Sequence, residues 1–101
     1  MLIEIGELSS FKEGQLKLAV INNKNYAIVK LKGNFYCLRG NCTHNQGPLW
    51  EGTIEGNTLI CPWHSAQFDI KTGKVLRGPA LVDLKILNLK QKDGKLFADV
   101  K

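Results

Sequence analysis

Short apolar runs and turn signals alternate along the whole chain. Residues 15–20 follow a period of two, with Leu16, Leu18 and Val20 on one side and Lys17 and Ala19 on the other. Residues 26–31 and 34–38 are rich in β-branched and aromatic side chains, and 84–86 and 95–100 close the chain in the same manner. Between these runs sit Asn22-Asn23-Lys24-Asn25, Lys32-Gly33-Asn34, Glu55-Gly56-Asn57, Lys71-Thr72-Gly73 and Lys92-Asp93-Gly94, all compositions that favour tight turns. Further strands are predicted at 58–60 and, as a hairpin, at 67–70 and 74–76. Many short strands at this spacing predict an all-β antiparallel sandwich or barrel. No segment of about ten residues holds a helical period. Residues 9–14 have a cap-like start and are expected to hold one helical turn. With no linker, repeat or low-complexity tract, residues 1–101 read as a single domain.

Composition narrows the class. The chain has 101 residues, 44% of them hydrophobic, which suits a globular domain with one modest core. Its formal charge is +5, but the lysines are dispersed and no basic motif is interleaved with aromatics, so nucleic acid is not expected as a partner. A solvated surface, or attraction toward an acidic redox partner, accounts for the excess. The start, Met1-Leu2-Ile3-Glu4-Ile5-Gly6, lacks a basic segment, and no apolar stretch reaches the ~18 residues of a membrane span. The expectation is a soluble, cytoplasmic, monomeric protein with no membrane association.

Two motifs carry the chemistry: Cys42-Thr43-His44 and Cys61-Pro62-Trp63-His64, with 16 residues between His44 and Cys61. Two thiolates and two imidazoles suffice to close a metal site. The order Cys, His, Cys, His differs from the Cys, Cys, His, His of a common zinc finger. It fits a [2Fe–2S] cluster with thiolates on one iron and imidazoles on the other, with a structural zinc site as the other possibility.

The flanks extend both motifs. Cys42-x-His44-x-x-Gly47-Pro48-Leu49 and Cys61-Pro62-x-His64-x-x-x-Phe68-Asp69-x-x-x-Gly73 resemble the two cluster-binding loops of Rieske proteins. Gly78-Pro79-Ala80 resembles the proline loop that shields the cluster there. The resemblance spans essentially the whole chain. It implies a Rieske fold, with a smaller cluster-binding subdomain at about 38–82 on a larger basal sheet pair. It also implies one [2Fe–2S] cluster held by Cys42, His44, Cys61 and His64. Two imidazoles in place of thiolates make the cluster less negative and raise its potential. Gly47 and Gly52 are expected to allow unusual backbone conformations or close approach of amides to sulfur, and Pro48 and Pro62 to fix φ near the loops.

Departures from the family pattern are informative. High-potential respiratory members add one cysteine to each loop and join the two by a disulfide. Gly47 and Trp63 stand at those places, so the disulfide cannot form. Such members also use a Ser and a Tyr to donate hydrogen bonds to sulfur, where this chain has Ala66 and Phe68. The resemblance is therefore to low-potential Rieske-type ferredoxins. Ser65 stands where the family usually has Gly, which leaves open its backbone geometry and a role as a substitute donor. Cys37 shares a strand face with Phe35 and reads as a buried apolar side chain. Trp50 and Trp63 read either as lids on the cluster or as exposed docking residues.

The function implied is one-electron transfer from a reductase to an oxygenase or other redox enzyme. The chain is not itself an enzyme, since its two histidines are already assigned to the cluster. The alternatives are a small subunit of a larger, nitrite-reductase-like oxidoreductase and a zinc-binding structural module.

Overall fold

A computed structural model describes residues 1–42, 46–63, 65–78 and 82–100. Among these residues, eleven antiparallel strands form three sheets. The first contains β1 (Leu2–Glu7), β11 (Lys95–Asp99) and β10 (Leu89–Lys92), in that order. The second runs β2 (Leu16–Ile21), β3 (Lys24–Leu31), β4 (Asn34–Arg39), β9 (Ile86–Leu87). The third is β5 (Thr53–Glu55), β6 (Thr58–Ile60), β7 (Gln67–Asp69), β8 (Val75–Arg77). The expected all-β architecture is borne out.

Turn chemistry sets the registers. Asn22 and Asn23 both take positive φ, as do Lys32 with Gly33 and Asp93 with Gly94. Two successive left-handed residues make the tight turn whose twist matches that of antiparallel strands. The pairs Ile21–Lys24, Leu31–Asn34 and Lys92–Lys95 follow directly.

The second sheet is central. Tyr26 and Ile28 of β3, with the cross-strand Cys37 of β4, pack against Leu96 and Ala98 of the first sheet. Val29 and Leu38 point the other way, into a core shared with Leu59 and Phe68 of the third and with Ile70 just after β7. Burial on both faces explains why residues 26–29 are apolar without alternation. Cys37 is accordingly buried in the first of these cores, packed with Phe35, as its strand face predicts.

Two expected elements are displaced. The helical turn is a 3-10 turn at Leu8–Ser10, closed by the Phe11 amide on the Leu8 carbonyl, rather than a turn within 9–14. The strand expected at 84–86 starts at Ile86, because the Leu84 amide donates to Gly73 O at 2.7 Å and leaves the ladder. β1, β5 and β10 were not anticipated by the strand signals.

Candidate metal centre

Each ligand motif begins at the end of a β-hairpin. In the first, the Leu49 amide donates to Gly40 O (2.8 Å), Asn41 bridges Pro48, and the Cys42 amide donates to Gly47 O (2.9 Å). In the second, Leu59 pairs Phe68, Ile60 pairs Gln67, and the Cys61 amide donates to Ala66 O (2.8 Å). Cys42 and Cys61 are thus equivalent. Each is the last paired residue before a four-residue connection, and each binds the residue five places on.

The return of each connection needs a left-handed residue, which falls on Gln46 (φ 63°) in the first and Ser65 (φ 59°) in the second. This answers the question posed by Ser65, where glycine is usual: the serine adopts the glycine-like conformation. It is exposed, and among the described residues it makes no hydrogen bond to sulfur. Asn41 braces the first loop, donating from Nδ2 to Gln46 O (3.0 Å) and accepting from Asn25 Nδ2 (3.4 Å).

The two thiols are 0% and 1% exposed and are not in a disulfide. They share one core with Leu49, Ala66, Phe68 and Leu84. Burial pushes the Cys61 thiol up to about 11. The Trp63 amide, which donates to Cys61 Sγ at 3.4 Å, acts against this, and the neighbouring Cys42 thiol adds to it. A free Cys61 thiolate would be disfavoured in such surroundings. Two adjacent buried sulfurs on matched loops, one already receiving an amide, fit a metal–sulfide group bonded to both thiolates. Among the described residues, these thiols are the candidate ligands brought together; His44 and His64 lie outside them.

The surroundings refine several expectations. Gly52 has an ordinary φ of −77°, so positive φ is not what selects glycine there. A Cβ at that position would collide with the carbonyl oxygen of Ile60. Gly73 has both a φ of +78° and no room, since its Cβ would meet the Leu84 carbonyl. Ala66 and Phe68 are fully buried beside the thiols. The two tryptophans divide: Trp50 is half-buried with its ring against Gly40, whereas Trp63 is 49% exposed. Of the motif resembling a proline loop, Gly78 forms an exposed turn, while Pro79 and Ala80 lie outside the described residues. Asp83 was missed by sequence reasoning; it accepts the Val75 amide at 2.8 Å and ties the segment after 82 to β8.

Residues 1–88 match the Rieske [2Fe–2S] domain. The chain is 30% identical over 98 residues to the ferredoxin component of the naphthalene 1,2-dioxygenase system of Pseudomonas putida, covering 97% of this chain and 94% of that one. Its fold superposes on a Sphingomonas yanoikuyae B1 ferredoxin with a TM-score of 0.93, 24% identity and full coverage of both chains. A second structural match, to a complex of reduced oxygenase and oxidized ferredoxin in carbazole 1,9a-dioxygenase, has a TM-score of 0.89 and 24% identity. It covers 96% of this chain and 91% of the other.

The chain belongs to the Rieske [2Fe–2S] domain family. It carries one [2Fe–2S] cluster and is an electron carrier rather than an enzyme. The resemblance seen in the two motifs, and the zinc alternative it displaced, are thereby resolved in favour of iron and sulfide.

Proposed function

We propose that this protein takes one electron from a reductase and delivers it to a terminal oxygenase, as a monomeric carrier in the cytoplasm. The cluster supplies reversible one-electron chemistry, with Cys42 and Cys61 as ligands to one iron and His44 and His64 to the other. His44 follows Cys42 by two residues and His64 follows Cys61 by three, so each hairpin end brings one thiol and one imidazole. The cluster-binding subdomain corresponds to about 38–82, and residues 1–101 act as one domain.

The observation that carries this reading is the matched pair of buried thiols at two hairpin ends, in a chain similar over nearly its full length to a dioxygenase ferredoxin component. The absence of any hydroxyl at Ala66 and Phe68 supports the low-potential class. The test is single-turnover mixing of the reduced protein with the oxidised oxygenase component of a naphthalene dioxygenase system. Reoxidation coupled to oxygenase reduction supports the proposal. A reduced protein that such an oxygenase leaves untouched, and that is isolated only as a fixed subunit of a larger oxidoreductase, contradicts it.

A further inference from the structure

Three cations lie on one sheet face beside the first ligand loop. Tyr26 of β3 pairs Arg39 of β4, and the Arg39 amide donates to Lys85 O at 2.8 Å, so Tyr26 and Arg39 stand abreast of Lys85, the residue just before β9. Directly opposed residues in antiparallel strands share a face, and Lys24 is two residues before Tyr26, so it joins them. This is the face that packs against the first sheet further along, where Ile28 and Cys37 follow Tyr26 and Arg39. The row of Tyr26 and Arg39 lies at the ligand-loop end of these strands. A cleft of about 320 Å³ opens there, lined by Lys24, Arg39, Asn41, Gln46, Val82 and Lys85 among others.

The charge in this cleft is unbalanced. Among the described residues Lys24 and Lys85 are exposed and form no ion pair, and the Arg39 guanidinium lies 5.6 Å from the centre of the Tyr26 ring instead of on a carboxylate. Among the described lining residues the acid is Asp83, whose carboxylate accepts the Val75 amide. Val82, 63% exposed, adds an apolar wall. The cleft is also connected to the cysteine: Asn41 Nδ2 donates to Gln46 O, and the Gln46 amide donates to Cys42 O at 2.9 Å. A body seated on these cations therefore sits one hydrogen-bonded link from the loop that carries Cys42.

We propose that the strip formed by Lys24, Arg39 and Lys85 is where the redox partner docks, and that the partner presents an acidic surface there. The proposal rests on the electron-carrier reading and names the charge of the surface that the carrier meets. Opposite charge beside an electron-transfer centre raises encounter rates and orients the partner, and both effects weaken with salt.

The test is stopped-flow oxidation of the reduced, cluster-loaded protein by anionic hexacyanoferrate(III) and by cationic hexaamminecobalt(III), at low and high salt. Poly-glutamate serves as a blocking peptide. The variants are Lys24→Glu/Lys85→Glu and, with the same change of net charge, Lys90→Glu/Lys92→Glu on the β10–β11 hairpin. Both pairs are exposed, and the visible spectrum of each variant reports that the cluster is intact. The expected result is a rate with the anion that falls about tenfold in the first variant at low salt, a rise with the cation, and much smaller changes in the second. Poly-glutamate should slow oxidation of the parent protein and spare the first variant. Equal effects in the two variants, or poly-glutamate inhibition that survives Lys24→Glu/Lys85→Glu, would overturn the proposal. Failure of the electron-carrier reading would appear separately, as a parent protein with no reducible chromophore.

Discussion

Gln46 and Ser65 occupy equivalent positions: each lies four residues beyond a cysteine, with φ of 63° and 59°. Each reverses the chain so that the next residue can accept the amide of that cysteine. A non-glycine residue in this region carries a cost of about 1–2 kcal/mol, part of which glycine returns as unfolded-state entropy. Ser65→Gly should stabilise the protein by about 0.5–1 kcal/mol, and β-branched Ser65→Val should destabilise it by ~1–2 kcal/mol. The temperature at which the visible chromophore is lost is the measurement. A Ser65→Val protein as stable as the parent would show that the loop does not depend on this conformation.

Gly52 is selected by lack of space, and Gly73 by lack of space together with its positive φ. Gly52→Ala places a methyl against the Ile60 carbonyl, at the start of the hairpin that ends in Cys61. Overpacking costs ~1–3 kcal/mol, and a rigid carbonyl cannot step aside as a side chain would. Iron per chain should fall well below the parent value in Gly52→Ala, while Gly56→Ala, whose Cβ meets nothing, should retain its cluster. Full iron occupancy in Gly52→Ala would refute the packing argument.

Ala66 and Phe68 mark where hydroxyl donors are missing. A hydrogen bond to sulfur favours the reduced cluster, because reduction adds negative charge there. Among the described residues the Trp63 amide already reaches Cys61 Sγ, and Ser65 does not. Ala66→Ser and Phe68→Tyr should each raise the midpoint potential. A bond differing by ~1–2 kcal/mol between states corresponds to about 45–85 mV for one electron. Voltammetry on both variants checks this, and shifts under ~20 mV with the cluster intact would count against it.

How much of this was legible in the sequence depends on the scale of the signal. Hairpins with two left-handed turn residues, such as Asn22-Asn23 and Lys32-Gly33, were readable because the turn fixes both strands. The all-apolar stretch at 26–29 was read as a strand, but only the sheets on both sides explain why it lacks alternation. β5 and β10 were missed because their burial is slight and each is held by its neighbour's ladder. The ligand motifs stood out because chemistry constrains their spacing. Their equivalence did not, since the amide bonds Cys42–Gly47 and Cys61–Ala66 leave no shared side-chain pattern. Asp83 reaches back only eight residues to Val75, but no local pattern marks that bond, and the Lys24–Arg39–Lys85 strip is a product of strand register between segments far apart in sequence.

Cys37 is the spare cysteine, buried among Ile28, Leu96 and Ala98 rather than beside Cys42 and Cys61. Burial pushes its thiol up to about 12. In the unfolded chain the value is ~8.5, so the folded state keeps a proton that the unfolded state loses. The stability this contributes is fully present below pH ~8.5 and declines at ~1.4 kcal/mol per pH unit as pH rises toward 12. Cys37→Ala should retain the cluster spectrum and lose stability less steeply than the parent between pH 8.5 and 10.5, as read from urea midpoints. Identical slopes, or loss of the cluster, would contradict the assignment.

The most direct test of the account is electron–nuclear double resonance, at low temperature, on the dithionite-reduced protein grown with ¹⁵N-histidine. It is combined with iron and sulfide analysis. The account predicts two irons and two sulfides per chain, a paramagnetic reduced state, and ¹⁵N couplings from two histidines, with one coupling lost when either His44 or His64 is replaced by Cys. A diamagnetic protein holding zinc, or a reduced cluster with no histidine nitrogen coupling, would contradict ligation by Cys42, His44, Cys61 and His64.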